Sequence, residues 1–301
     1  MQNLSRRFQL LLVLIAVLFA QSCNKAETVV PSPSTLPQRV IALSPSLTEI
    51  AYAVGAGESV VGISQYAVFP PEALDKPKCG GYFDPNYETI LALQPDLILM
   101  QGRHQEVRDF CQANNLRIAE FKIDTIADIQ SAIRQAGQLF GQEKRAEEIC
   151  ANITAELESL KVELPRSQWP KVFICPDRQT GSMANMMTAG QGSFLDEMIE
   201  AAGGVNIFGE LAMLYPTISK ESLLARAPDV ILELRPSEKI DERKAAKLRT
   251  EWQPLSLLPA VKEGRIRIIT DDAILIPTPR IAESVRRLHK AIYQDWEGKQ
   301  P

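Results

Sequence analysis

Short runs of apolar residues alternate along the chain with amphipathic segments of helical period. The runs predict buried β-strands, and the segments between them predict helices that begin at capping residues. In the first of these helices, Ser46 and Glu49 have the spacing of a capping box. Because strands that alternate with helices form parallel sheets, the pattern predicts an α/β fold with doubly wound sheets. The clearest strands are predicted at residues 39–44, 60–64, 117–122, 171–175 and 265–270.

One stretch of this pattern occurs twice. Residues 88–99 read ETILALQPDLIL and residues 221–232 read ESLLARAPDVIL, with seven identities in twelve positions. Each copy predicts a short helix that ends before a proline and is followed by a buried strand. The offset of 133 residues (221 minus 88) is too long for a solenoid repeat. The repeat therefore predicts two similar lobes. Each copy follows a tyrosine and a capping residue, namely Tyr82 with Asn86 and Tyr215 with Ser219.

Two consecutive helical patterns lie between the copies. The first begins with a capping box at Thr125 and Asp128 and ends at Gly141. The second covers about residues 142–161 and, at ~1.5 Å per residue, has a length of roughly 30 Å. That length suits a single helix that bridges the lobes, although a surface helix of the first lobe has the same pattern. The predicted boundaries are 39–123 for lobe one, 124–165 for the helical connector and 166–301 for lobe two.

The N-terminal residues have the pattern of an export signal. Arg6 and Arg7 precede an apolar run at residues 8–20, which is too short for an ordinary membrane span. Small residues then precede Cys23, as in a bacterial lipobox, although Ala20 stands where that pattern prefers leucine. We expect residues 1–23 to be a lipoprotein signal peptide, with Cys23 lipidated and anchored to a bacterial membrane. A short uncleaved anchor is the alternative, and the Pro-rich residues 24–38 predict a linker.

Composition excludes several functions. A net charge of -4 argues against nucleic acid as a partner, which needs a clustered basic face. The chain has no G-x-S-x-G elbow, Walker loop or G-x-G-x-x-G motif. His104 and His289 are the only histidines, too few for a metal site of the common kinds. We therefore expect no enzyme activity, no cofactor and no resident metal.

Four cysteines remain after Cys23. Their spacing fits no zinc site, and an exported protein can contain disulfides. Cys150 lies on an apolar helix face and is predicted to be a buried thiol. No disulfide bridge is assigned among the four, which are Cys79, Cys111, Cys150 and Cys175.

Aromatic and thioether side chains are concentrated in the predicted loops. Loops at the carboxyl ends of parallel strands are where open α/β sheets bind ligands, and two facing lobes would place both sets around one cleft. Taken singly, each of these residues is as well explained by core packing. Taken together, they predict a binding cleft. They are Tyr66, Phe69, Tyr82, Phe83, Met183, Met186, Met187 and Tyr215.

Several segments together resemble a known family. RVIALSPSLTEIAYAVG, VVGISQYAVFPPEA, the YETILALQPDLIL unit, GSFLDEMIEAAGGVNIF and TISKESLLARAPDVILEL resemble periplasmic binding proteins of ABC importers for vitamin B12 and iron complexes. The resemblance covers residues 39–293. It implies two α/β lobes joined by a rigid helix, and a monomer that captures a bulky metal complex and delivers it to a permease dimer.

The resemblance also implies a ligand site. Tyr66, Tyr82 and Tyr215 match aromatics that line the corrin pocket in corrinoid-binding members, where the second and third are tryptophans. Leu275 and Ile276 replace a polar pair of those members, so a ferric siderophore or haem remains an alternative to a corrinoid. The implied ligand-binding residues are Tyr66, Phe69, Tyr82, Met183, Met187, Tyr215, Asp272 and Arg280.

Glu88 and Glu221 have two interpretations. A carboxylate in the first turn of a helix stabilises it by about 0.3–1 kcal/mol. Equivalent acidic residues on two lobes also suit a two-fold partner, and the resembled family docks these glutamates on arginines of its permease. We expect them to point away from the strand ends that face the ligand. A ligand-sensing lipoprotein not coupled to transport is the further alternative, and it would not require both glutamates.

Overall fold

The chain folds around two parallel β-sheets of four strands each, one in each half of the sequence. The structure, a computed structural model, describes residues 36–236 and 238–296. Cys23, the predicted signal peptide and residues 24–35 of the predicted linker lie outside the described residues. The fold class predicted from the sequence, two α/β lobes with parallel sheets, is confirmed.

The first lobe has the strand order β2–β1–β3–β4. β3 pairs with both β1 and β4, all in parallel register, so the strand of the first repeat copy lies inside the sheet. The elements in chain order are β1 (Val40–Ala42), α1 (Pro45–Ala53), β2 (Val60–Ile63), α2 (Tyr87–Ala92), β3 (Leu97–Gln101), α3 (Gln105–Ala113) and β4 (Arg117–Phe121).

The connector consists of two antiparallel helices, α4 (Ile126–Phe140) and α5 (Glu143–Ser159). The predicted capping box is present, since Thr125 accepts a hydrogen bond from the Asp128 amide and Asp128 accepts one from the Thr125 amide. Gly141, at a φ of 65°, terminates α4 as predicted.

Helix α5 contacts both halves of the molecule. Near its start, Arg145 donates a 2.6 Å hydrogen bond to the carbonyl of Ala53 in lobe one. Near its end, Glu156 accepts a 2.7 Å bond from Arg286, which follows the second sheet. α5 therefore bridges the lobes, and α4 packs along it over most of its length.

The second lobe repeats the topology of the first. Its order β10–β9–β5–β7 matches β4–β3–β1–β2, with the strand of the second repeat copy again inside the sheet. A two-stranded antiparallel ribbon of β6 and β8 is additional. The elements are β5 (Lys171–Cys175), β6 (Met186–Met187), α6 (Phe194–Ala201), β7 (Val205–Asn206), β8 (Thr217–Ile218), α7 (Lys220–Arg226), β9 (Val230–Leu234), α8 (Glu242–Thr250), α9 (Pro259–Lys262), β10 (Ile266–Ile269) and α10 (Ile281–Tyr293).

Alternate residues of the central strands belong to different hydrophobic clusters. Leu97 and Val230, for example, belong to one cluster that continues from lobe one through α4 and α5 into lobe two. Ile98 and Ile231, one residue later, belong to separate clusters on the opposite sheet faces. The lobes therefore share a continuous core on one side. No helix in the described part of the chain is both long and apolar enough to cross a membrane.

Equivalent residues that follow the two repeat helices share a left-handed conformation, although α2 ends at Ala92 and α7 ends one position later in the repeat, at Arg226. Gln94 and Ala227 adopt left-handed conformations, at φ 47° and 49°, and each immediately precedes a proline. Proline disfavours the right-handed helical region for the residue before it, so the helix cannot continue through either position. The shared proline therefore accounts for the end of the helix in both copies.

The repeated aspartate of each copy holds the start of a neighbouring strand. Asp96 accepts a 2.7 Å bond from the Gln38 amide, and Asp229 accepts a 2.9 Å bond from the Lys171 amide. Their own amides donate to the carbonyls of Arg39 and Lys171. We call each arrangement a strand clamp. The strand clamp is a structural role for the aspartate that the two copies share, and the sequence pattern did not indicate it.

One predicted cap is wrong. The first helix begins at Pro45 and is capped by Ser44, whose hydroxyl accepts a 3.2 Å bond from the Leu47 amide. Proline is favoured at the first helical position, so Pro45 was the better signal for the start. Glu49, predicted to complete a capping box with Ser46, instead pairs with Arg280.

Candidate functional site

Glu88 and Glu221 occupy equivalent places at helix starts. Asn86 accepts a 3.0 Å bond from the Thr89 amide, and Ser219 accepts a 3.2 Å bond from the amide three residues on. Both glutamates are exposed, and the Glu221 side chain is 69% exposed. The backbone amide of Glu221, with the Ser219 hydroxyl, lowers the pKa of its carboxyl. The structure therefore places an exposed glutamate in the first turn of the equivalent helix of each lobe.

A shallow hollow of about 600 Å³ adjoins Glu221. Met183, predicted as a ligand residue, lines the same hollow. Glu221 therefore lies near a predicted ligand residue, and the expectation that its side chain points away from the strand ends stays a prediction. A helix that leads into a parallel strand runs antiparallel to it, so its N-terminus lies at the carboxyl-end edge. The remaining lining residues are Ser182, Ala184, Asn185, Thr217, Ile218, Ser219 and Lys220.

In lobe one, the loop after β2 carries Tyr66. Its hydroxyl donates a 3.1 Å bond to Asp84, and its side chain is exposed. The ring lies directly over Gly81, where an added β-carbon would come within 2.4 Å of it. Glycine at this position therefore permits the Tyr66 ring to pack closely against the loop.

Tyr82 belongs to an aromatic cluster at the same sheet edge. Its ring centroid lies 4.4 Å from that of Phe83 and 5.5 Å from that of His104, in edge-to-face arrangements. His104 occupies the N-cap position of α3, just after β3, without a side-chain capping bond, and Phe83 is 82% exposed. Such pairs are individually stabilising, and an exposed member leaves apolar surface for another ring. We call Tyr82, Phe83 and His104 the lobe-one aromatic cluster.

Phe69 and Arg280, both predicted ligand residues, contact each other across the lobes. The Arg280 guanidinium lies 4.1 Å from the Phe69 ring centroid. It also donates bonds of 2.8 and 2.6 Å to the buried Glu49 of α1. These hydrogen bonds to Glu49 raise the pKa of Arg280, and the nearby charge of Asp272 contributes. Arg280 thus fastens the start of α10 to lobe one, and we call this contact the interlobe tie.

Tyr215 lies at the boundary between the lobes. Its side chain is half-buried and packs against the continuous core. Burial raises the pKa of its hydroxyl, and the charge of Asp124, which follows β4 in lobe one, adds to that effect. Nearby, Glu197 of α6 accepts a 2.5 Å bond from the Ile126 amide at the start of α4. Tyr215 therefore stands where lobe two meets the connector.

The structure brings the predicted ligand residues together only in part. Met187 pairs with Thr217 in the β6–β8 ribbon, close in sequence to Tyr215. In the described part of the chain, no ring contact joins Tyr215 to Tyr66 or Tyr82. The three tyrosines stay a predicted stacking surface, supplied by loops of both lobes at the carboxyl ends of their strands.

A buried ionic network in lobe two was missed by the sequence analysis. Arg178, which has a fully buried side chain, donates to Glu233 of β9 at 3.0 Å and to Glu251 at 2.7 Å. Glu233 also accepts a 2.7 Å bond from the Trp252 indole and a 2.8 Å bond from Arg235. The available signal was a glutamate within the otherwise apolar strand VILEL.

The four cysteines of the described region are free and buried. Burial raises the pKa of Cys79 and Cys111 to about 11, and that of Cys175 to about 12. Such thiols are poor nucleophiles and poor metal ligands at neutral pH. Within the described residues, no group of three or more His, Cys, Asp or Glu side chains is placed to hold a metal ion.

Known proteins match this chain in sequence. The profile of the periplasmic binding protein family matches residues 40–273, which include every strand of both sheets. A vitamin B12-binding protein of Pectobacterium carotovorum subsp. carotovorum (strain PC1) is 32% identical over 230 residues. That match covers 75% of this chain and 80% of the relative.

Solved structures match the fold. The periplasmic vitamin B12 binding protein BtuF of Vibrio cholerae has a TM-score of 0.69 at 26% identity, covering 85% of this chain and 96% of that one. The periplasmic heme-binding protein RhuT from Roseiflexus sp. RS-1, in its apo form, has a TM-score of 0.70 at 27% identity, covering 85% and 98%. Both matches extend over the two lobes together.

Proposed function

Because the chain belongs to the periplasmic binding protein family, we propose that it is the substrate-binding protein of an ABC importer. In this role it captures a corrinoid and delivers it to a permease dimer. Delivery to a permease is supported by the duplicated helix start, which places an exposed glutamate at the same position in both lobes. A two-fold partner can contact both glutamates with equivalent surfaces.

The choice of a corrinoid rests on the relatives and the aromatic loops. A protein named for vitamin B12 binding shares 32% identity over most of both chains. Tyr66 and the lobe-one aromatic cluster offer ring faces and edges at the carboxyl ends of β2 and β3. Flat, largely apolar ligands bind to such surfaces by stacking and by loss of exposed apolar area.

Haem is the second candidate, and a specific observation favours it. RhuT, a heme-binding protein, is as similar in fold as BtuF. His104 and Tyr82 also lie in contact at the proposed ligand edge, and imidazole and phenolate are the side chains that hold haem iron in many proteins. A haem would therefore find a candidate axial group in the lobe-one aromatic cluster.

The ligand assignment is tested by titration. Cyanocobalamin, haemin and a ferric siderophore are added to the soluble domain, and binding is followed by calorimetry and visible absorption. We expect cyanocobalamin to bind, and Tyr66→Ala to weaken it about thirtyfold, or roughly 2 kcal/mol. Tyr66→Phe, which keeps the ring and loses only the bond to Asp84, is the matched control. Binding of haemin alone would favour the second candidate, and binding of no probe would contradict both.

We further propose that the mature protein is anchored through lipid on Cys23 at a bacterial membrane. The support is the order of Arg6 and Arg7, an apolar run and small residues before the cysteine. Cys23→Ser should move the protein from the membrane fraction to the soluble fraction of cells. If the variant fractionates with membranes as the wild type does, the anchor is elsewhere.

A further inference from the structure

The segment between β5 and β6, residues 176–185, has no regular secondary structure. It contains two left-handed residues, Gly181 at φ 78° and Asn185 at φ 53°. Two backbone bonds involve the segment, from Ser182 to Gln179 at 3.1 Å within it and from Met187 of β6 to Asp177 at 2.9 Å near its start. Between residues 178 and 185, the position of the segment relative to the rest of lobe two therefore depends largely on other contacts.

Arg178 supplies such contacts from inside lobe two. Its guanidinium reaches Glu233 on β9 and Glu251 just after α8, and it lies 5.2 Å from the Trp252 ring centroid. Glu251 in turn accepts a 2.9 Å bond from the Gly181 amide. Beyond the backbone bond at Asp177, the segment is thus held at two points, by the side chain of Arg178 and by the backbone amide of Gly181.

The network is balanced in charge. Arg178 and Arg235 oppose Glu233 and Glu251, and all four side chains are largely buried. Removing one member leaves its partner as an uncompensated buried charge, so the arrangement tolerates little displacement. A hydrophobic contact would fix the position of the segment less narrowly, because dispersion and area burial are not directional.

We propose that this ionic network positions the part of the ligand site that lobe two contributes. This inference rests on the proposed function. The network sets the conformation of segment 176–185, which carries Met183 and leads directly into Met187 of β6, without touching the ligand itself. Arg178 and Glu251 are accordingly positioning residues. Met183 also lines the hollow beside Glu221, so the same network shapes the surface next to the docking glutamate.

The test compares Glu251→Ala with Glu251→Gln. The alanine variant removes the acceptor of Arg178 and Gly181, whereas the glutamine variant retains an amide oxygen able to accept from both. Glu242→Ala is the matched control, since Glu242 forms a 2.7 Å pair with Arg249 on the exposed face of α8. All measurements are made where circular dichroism shows every variant fully folded.

Two readouts do not depend on the ligand. In protein labelled with ¹³C-methyl methionine, we expect the Met183 signal to shift or broaden in Glu251→Ala, while buried Met198 of α6 stays unchanged. Amide hydrogen exchange at residues 181–185 should become about tenfold faster, as expected for local opening. Glu251→Gln should restore much of both, and Glu242→Ala should resemble the wild type.

The third readout is affinity. Cyanocobalamin should bind Glu251→Ala about tenfold more weakly than the wild type. Unchanged Met183 signals and exchange rates would overturn the positioning role, and so would altered signals with unchanged affinity. A wild-type protein that binds none of the probes would contradict the proposed function instead, while the methionine and exchange readouts would still decide whether the network positions the segment.

Discussion

Lobe one and lobe two share a strand order, a helix–strand unit and a strand clamp, yet they fill one equivalent strand position differently. The fourth residue of β3 is Met100, and the fourth residue of β9 is Glu233. Both side chains are almost completely buried, at 0% and 1% exposed. The same backbone therefore accommodates an apolar contact in one lobe and a buried ionic network in the other.

The difference follows from what succeeds each first strand. In lobe one, Ser44 caps α1 directly after β1, so the helix itself covers the strand end. In lobe two, an irregular segment intervenes between β5 and α6, and Arg178 holds it by reaching back to Glu233. Duplication preserves the framework of the lobes, while their loops, which bear the candidate ligand residues, require separate means of support.

The largest expected effect comes from giving lobe two the residue of lobe one. Glu233→Met leaves Arg178 and Arg235 without their shared partner. Breaking a buried ion pair costs about 3–5 kcal/mol, and we expect the free energy of unfolding to fall by that amount. Urea denaturation measures it. Wild-type stability in this variant would mean that the network contributes nothing and that the lobes are interchangeable here.

A smaller effect is expected at the interlobe tie. Arg280→Ala leaves the buried Glu49 without its partner, so unfolding should become easier by about 2 kcal/mol, a typical value for hydrogen bonds to charged groups. The control is Arg286→Ala, which removes an exposed pair between α10 and α5 and should cost about 0–1 kcal/mol. Equal losses in the two variants would contradict a special role for the tie.

The smallest expected change in stability concerns a feature that the lobes share, the left-handed residue before the repeated proline. Gln94→Gly and Ala227→Gly replace left-handed residues, whose conformation costs other L-residues about 1–2 kcal/mol. Since glycine also makes the unfolded chain more flexible, a net gain of about 0.5 kcal/mol is expected in both variants. Ala225→Gly, within α7, should instead lose about 0.5–1 kcal/mol. Gains in one lobe and losses in the other would refute their equivalence.

Local sequence signals predicted much of this fold. The repeat placed both inner strands correctly, and the caps at Asn86, Thr125 and Ser219 were read from residue type and spacing alone. These features depend on contacts between residues close in the chain. The cap predicted at Ser46 was wrong because Ser44 and Ser46 flank Pro45, and proline at the first helical position makes Ser44 the cap.

Long-range pairing was not predictable in the same way. Arg178 and Glu233 are 55 residues apart, and Arg280 and Glu49 are 231 apart. Nothing in the pattern of apolar positions identifies which charged residues will meet in the interior. The interlobe tie also gives Arg280 a structural role beside its predicted ligand role, since its Nε and Nη2 donate to Glu49 and its guanidinium lies over the Phe69 ring.

In the proposed function, Glu88 and Glu221 dock the protein on the permease, to which it delivers the corrinoid held by loops of both lobes. The most direct measurement pairs ligand affinity with permease binding for Glu88→Arg, Glu221→Arg and the double variant. We expect cyanocobalamin affinity to stay within about twofold, and docking to weaken in each single variant in a salt-dependent way, because such charges steer association. Intact docking in the double variant would contradict the account and leave both residues as helix-start carboxylates.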